Sequence, residues 1–223
     1  ADADFHFGQA DFFSEFASIN NQGLDTPTGL ALDSGNNLWV ADRLNHRVVK
    51  FNNATTVVPD RTADLVVGQT SLNGFNFGSG ASQFQQPTGV AVDAAGHLWV
   101  ADSGNHPVQR CDNVASLPAA NATASNVLGQ RSTSDAADVT PAHYGIAFPE
   151  AVTAGPDGSI FVADSGYHRV LQYRAEDAAG AGFIFPHRVI GQQTMAQQRV
   201  GEEPYSEGHL DTVLRSPQAV TVA

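Results

Sequence analysis

Three aspartates and three histidines stand at matching places along the chain: Asp42, Asp102 and Asp164 each lie four residues ahead of His46, His106 and His168. Carboxylates and imidazoles bind divalent metals and shuttle protons, so six such groups would form a metal or acid–base site if they converged. A second set follows a proline at another repeated position. Thr28, Thr88, Glu150 and Gln218 offer a hard cation one carboxylate, one amide and two hydroxyls, where Ca²⁺ takes roughly six to eight oxygens. The single cysteine, Cys111, excludes both a disulfide within this chain and a thiolate-rich metal site.

Whether these groups meet depends on the elements that carry them. The segments PTGLALDSGNNLWVADRLNHRVVKF from Pro27, PTGVAVDAAGHLWVADSGNHPVQRC from Pro87 and PEAVTAGPDGSIFVADSGYHRVLQY from Pro149 align without gaps, and PQAVTVA begins a fourth at Pro217. Their prolines are 60, 62 and 68 residues apart, and a Gly-Gln pair at Gly8, Gly68, Gly129 and Gly191 keeps nearly the same period. Within a unit, short apolar runs are broken every eight to twelve residues by Gly, Asn, Asp and Pro, as in antiparallel strands. The first unit reads as strand a at about 28–33, b at 37–42, c at 46–51 and d at 63–68. Four strands per repeat, set radially, give an all-β fold, a β-propeller of four-stranded antiparallel blades. The expected division is 1–24 as the end of a preceding blade and its loop, blades at 25–85, 86–147 and 148–210, and the start of another at 211–223.

The run from PTG through VAD to Asn45-His46-Arg47, Asn105-His106-Pro107 and Tyr167-His168-Arg169 resembles the NHL repeat. The Gly-Gln extension with its loop resembles the long-repeat variant of large exported bacterial proteins. That resemblance implies a propeller used as a binding platform, a scaffold or, in a minority, an enzyme, and an extracellular or periplasmic location. At this period 223 residues are about 3.7 units, so the chain is expected to be a segment of a ring of about six blades.

Radial geometry separates the two candidate sets. Neighbouring strands lie ~4.8 Å apart, so strand c stands about 10 Å outside the innermost strand and its histidines diverge from blade to blade. Each Asp is therefore expected to accept hydrogen bonds from the b–c turn or to pair with the arginine five residues on. Each His is expected to pack and bond within its own blade. Pro107 replaces that arginine in the second unit and predicts a weakened start to its strand c. Trp39, Trp99 and Phe161 read as a packing layer between blades, and Cys111 as a small core residue. Only the strand a set, Thr28, Thr88, Glu150 and Gln218, can approach a central channel. No cofactor is predicted there, and a channel Ca²⁺ at Glu150 stays open as an alternative. Lyases of this family hold zinc with channel histidines, and no strand a position here is histidine.

The chain carries 11 Lys+Arg against 23 Asp+Glu, a net charge of −12. That excludes nucleic acid and anionic membrane surfaces as partners, which are bound by cations, and no apolar stretch is long enough to span a bilayer. The connections from strand d to the next strand a, about 9–26, 69–86, 130–148 and 192–216, are long enough to expect function in them. Leu24, Phe84, Ile146 and Leu214 each precede their proline by three residues and read as loop anchors. Phe12, Phe13, Phe16, Phe75, Phe77, Tyr144 and Tyr205 fall off that register and divide between packing over the blade and a contact patch. Asn53 and Asn121 open glycosylation sequons, relevant if the source is eukaryotic and the protein secreted. The expected function is a non-catalytic exported module that binds protein or glycan through its loop face. The rival is a metal-assisted hydrolase or lyase with a site in the channel.

Overall fold

The computed structural model describes residues 6–9, 16–55, 62–130, 132–133, 145–178, 184–192 and 214–222. Twelve strands form three sheets among them. The first sheet holds β1 (Pro27–Leu32), β2 (Leu38–Asp42), β3 (Arg47–Phe51) and β4 (Leu65–Val67). The second holds β5 (Pro87–Val92), β6 (Leu98–Asp102), β7 (Val108–Cys111) and β8 (Asn126–Leu128), and the third β9 (Pro149–Ala154), β10 (Ile160–Asp164), β11 (Arg169–Tyr173) and β12 (Arg188–Ile190). Within each sheet the strands follow in chain order, all antiparallel, as expected of propeller blades. Strand d is shorter than the expected 63–68, because Ala63 donates to Asn21 O outside the sheet and Gly68 turns the chain at φ +87°. Strand β7 starts one residue later than β3 and β11, at the point where Pro107 removes an N–H.

The a–b turns are built on side chains. Asp33 accepts from the N–H of Gly35 at 2.8 Å, the N–H of Asn37 at 3.0 Å and the indole N–H of Trp39 at 3.0 Å. Asp93 does the same for Ala95, His97 and Trp99. In the third blade Gly155 replaces the aspartate and Phe161, with no N–H to satisfy, replaces the tryptophan.

The sheets pack face to face through their side chains. Trp39, Ala41, Val48 and Val67 of the first blade pack with Phe84 of the connecting loop and with Val90, Leu98 and Val100 of the second blade. Trp99, Ala101 and Val108 pack in turn with Ile146 of the next connecting loop and with Val152, Ile160 and Val162 of the third blade. Trp39 and Trp99 thus lie in the layer between blades, where burial of each contributes roughly 1.5–3 kcal/mol, while Phe161 is half-buried and packs in neither layer. Cys111 is buried in the first of these layers, and its thiol is pushed up to about 12 by burial. The innermost strands approach closely: a Cβ on Gly89 of β5 would lie 2.8 Å from Ala151 Cα of β9.

Candidate functional site

The repeated polar residues serve the frame. Asp42 accepts from Asp25 N–H at 2.6 Å, Asn45 Nδ2 at 2.9 Å and Arg47 Nε at 2.6 Å. Asp164 accepts from Ala147 N–H at 2.8 Å and Arg169 Nε at 2.7 Å. Each carboxylate therefore joins its b–c turn to the loop entering its own strand a, and the expected pairing with arginine holds in both blades. Arg47 extends the join, donating to Ile19 O and Asn20 O, each at 3.2 Å, to Gly23 O at 2.9 Å and to Leu72 O. Among the described residues no cation pairs with Asp102. This carboxylate accepts from Gln85 N–H at 2.7 Å, Asn105 Nδ2 at 2.8 Å and Gln109 Nε2 at 3.2 Å.

Burial pushes the Asp102 carboxyl up to about 7. Asp164 is also raised by burial, to about 6, with Arg169 opposing the shift. An unfolded aspartate titrates near 3.8, so between that pH and 7 the folded chain holds a proton at Asp102 that the unfolded chain lacks. Stability from this group is therefore lost as pH rises from about 4 to 7 and is level above. Asp102→Asn does not titrate. The stability advantage of the parent chain over this variant should shrink by up to about 1.4 kcal/mol per pH unit across that window. Urea midpoints at pH 5, 6, 7 and 8 measure it, and a constant difference would contradict the assignment.

The histidines differ from expectation: they bond to the next blade. His46 Nδ1 accepts from Gln86 N–H at 3.1 Å, His106 Nδ1 from Phe148 N–H at 3.0 Å and His168 Nδ1 from Ser216 N–H at 3.0 Å. Each donor immediately precedes the proline of the following strand a and has positive φ, 53°, 49° and 40°. A residue before proline is sterically restricted, and the imidazole holds the N–H of this strained link. Nδ1 must be unprotonated to accept, and burial lowers the pKa of His46 and His106 accordingly.

The strand a set divides. Thr28 donates its hydroxyl to Thr88 O at 2.8 Å, and Thr88 donates to Pro149 O at 2.9 Å, so both hydroxyls tie one blade to the next. Glu150 is half-buried and Gln218 exposed. Among the described residues no group of three or more His, Cys, Asp and Glu side chains could hold a metal ion.

The Gly-Gln pair has a role that sequence reasoning missed, although its recurrence was the signal. Gln69 donates to His46 O at 3.0 Å and to Asn76 O at 2.7 Å, Gln130 to Asn105 O at 3.2 Å and Gln192 to Tyr167 O. The d–a loops and b–c turns are thereby bonded together on one face. Phe16 is 87% exposed and Phe77 66% exposed, with Phe75 and Phe148 also more than half exposed. Phe77 lies 5.5 Å from the His46 ring and Phe148 4.3 Å from the His106 ring, centroid to centroid. Phe148 was not singled out, although a phenylalanine where Thr26 and Gln86 stand was a visible departure. Phe12, Phe13, Tyr144 and Tyr205 lie outside the described residues. Asn53 and Asn121 are both exposed. The Asn121 segment lies along the edge of β4, with Asn121 N–H donating to Gln69 O at 2.9 Å and Ala122 bridged to Val67.

The sequence model of the NHL repeat matches residues 24–51 and 84–111. NHL repeat-containing protein 3 of Homo sapiens is 30% identical over 98 residues, 43% of this chain and 24% of that protein. The Mus musculus protein of the same name is 31% identical over 97 residues, 42% and 24%. The chain spans about a quarter of the length of these curated relatives. Among solved structures, Kuenenia stuttgartiensis hydrazine synthase is 14% identical with a TM-score of 0.49, over 83% of this chain and 40% of that one. A chain of a nidogen/laminin complex is 16% identical with a TM-score of 0.48, over 80% and 52%. Virginiamycin B lyase from Staphylococcus aureus is 12% identical with a TM-score of 0.44, over 76% and 43%.

Proposed function

This chain belongs to the NHL-repeat family, and from that premise we propose that it is a non-catalytic binding module, acting outside the cytoplasm, that docks a protein or glycan partner on its loop face. The carrying observation is the set of exposed phenylalanines, Phe16, Phe75, Phe77 and Phe148, on segments bonded to the frame by Asn45, Gln69, Asn105 and His106. Aromatic rings fixed on a polar-bonded frame give contact area at little cost in conformational freedom. Most of the repeated side chains that could have done chemistry are committed elsewhere: the aspartates and histidines to turns and blade junctions, the Thr28 and Thr88 hydroxyls to neighbouring backbone, which leaves Glu150 and Gln218. A net charge of −12 favours partners with a basic surface.

The double substitution Phe75→Ser/Phe77→Ser should reduce partner capture from an extract of the source organism by at least about tenfold, a loss of about 1.4 kcal/mol, with the melting temperature unchanged. Undiminished capture by this variant would contradict the proposal.

A further inference from the structure

The second blade contains the place of an arginine without the arginine. In the first blade the Arg47 guanidinium is cradled by carbonyls of the preceding d–a loop, at Ile19, Asn20 and Gly23, and of the following one, at Leu72. The repeat register maps these onto Ser79, Gly80, Gln83 and Thr133. A cavity of about 230 Å³ opens in the second blade, and its walls include Ser79, Gly80, Asn105, Pro107, Gln109 and Thr133. The cavity thus occupies the locus that a guanidinium fills one blade away, with Pro107 standing where the side chain would start.

The polar surroundings of a cation remain there. Asp102 is fully buried, and among the described residues it lacks the arginine partner that Asp42 and Asp164 each have. Gln109, which stands where Val49 and Leu171 stand in the other blades, makes up part of the loss. Its Nε2 donates to Asp102 Oδ2 at 3.2 Å, to Gly80 O at 3.2 Å and to Gln83 O at 3.4 Å. That direction leaves the other end of the amide unmatched: Gln109 is 2% exposed, lines the cavity, and its Oε1 has no hydrogen-bond partner among the described residues. A buried acceptor of this kind is destabilising until a donor reaches it.

We propose that this cavity is a receptor for the guanidinium group of a ligand, with Gln109 Oε1 and the loop carbonyls as acceptors and the Asp102 carboxyl beside them. The planar, donor-only guanidinium suits a ring of acceptors, and the fold already places one in the equivalent position of two other blades. A small guanidino compound and an arginine side chain of a polypeptide share this chemistry. Burial pushes the Asp102 carboxyl up to about 7, further than the Asp164 carboxyl at about 6, where Arg169 opposes the shift. The inference is independent of the exposed phenylalanines.

Isothermal titration of the folded chain with n-propylguanidinium, with urea as the neutral isostere, and with the blocked tripeptide Gly-Arg-Gly tests it. Saturable one-to-one binding of a guanidinium probe is expected, with no saturation by urea. Propylguanidinium as tight as the tripeptide assigns a small ligand, and a tighter tripeptide assigns a polypeptide arginine. Asp102→Asn should weaken binding at least about tenfold. Pro107→Arg/Gln109→Val, which transplants the first blade's pair into the second, should abolish binding and raise the melting temperature. Absence of saturation by both guanidinium probes, equal saturation by urea, or unchanged affinity in Asp102→Asn would overturn the proposal. Unchanged affinity in a folded Pro107→Arg/Gln109→Val chain would do the same.

Discussion

Replacing Arg47 by alanine is expected to destabilise the fold by about 3–5 kcal/mol, the cost of leaving a buried charge without its partner. Asp42 would keep only Asp25 N–H and the Asn45 amide, in a site with no solvent exposure. The damage should spread beyond the pair, because the guanidinium also ties loop 16–26 to Leu72. Limited proteolysis should therefore cut that loop in the variant while the parent resists. The second blade suggests the repair: there a proline stands in the arginine position and a glutamine two residues on takes over the carboxylate. Adding Val49→Gln to Arg47→Ala should recover about 1.5–3 kcal/mol, the worth of a hydrogen bond to a charged group. Urea midpoints of the two variants decide it. An Arg47→Ala midpoint within error of the parent would show that the pair does not hold the blade together.

The second large effect is expected at the glycine of the Gly-Gln pair. Gly68 sits at φ +87°, and a Cβ there would lie 2.3 Å from Phe84 Cδ2, inside the ring that anchors the following loop. Gly129 repeats the arrangement against Ile146, at 2.8 Å. Gly68→Ala combines a left-handed backbone penalty of about 1–2 kcal/mol with overpacking of about 1–3 kcal/mol, so a loss of roughly 2–5 kcal/mol is expected. Gly96 is the control. Its φ is +81°, but its nearest neighbour, Val114 Cγ2, is 4.0 Å away, so Gly96→Ala should lose only the backbone share. Equal losses at Gly68 and Gly96 would show that the anchor ring plays no part.

The blades were readable because each strand repeats its neighbours' apolar register, and two markers, the proline and the Gly-Gln pair, keep that register across units. The Asp–Arg pairs were readable too, since they lie five residues apart on adjoining strands of one hairpin. What escaped was the set of bonds between units. His46 reaches Gln86, forty residues on, and Thr28 reaches Thr88, sixty on. A repeat shows which residue recurs and is silent on whether its partner lies in the same copy or the next. The Asp33–Trp39 and Asp93–Trp99 bonds were visible in principle: where Trp gives way to Phe161, Asp gives way to Gly155. Pro107 with Gln109 is a second exchange of this kind, and it marks the cavity.

The central claim is that the recurring polar residues hold the blades together while the loop face meets the partner. Placing a photo-crosslinking side chain at Phe77, and separately at Glu150, in otherwise unchanged chains tests it most directly. Irradiation in an extract of the source organism should yield a defined adduct from position 77 and none from position 150. A defined adduct at 150 with none at 77 would contradict the account and move the site to the innermost strands.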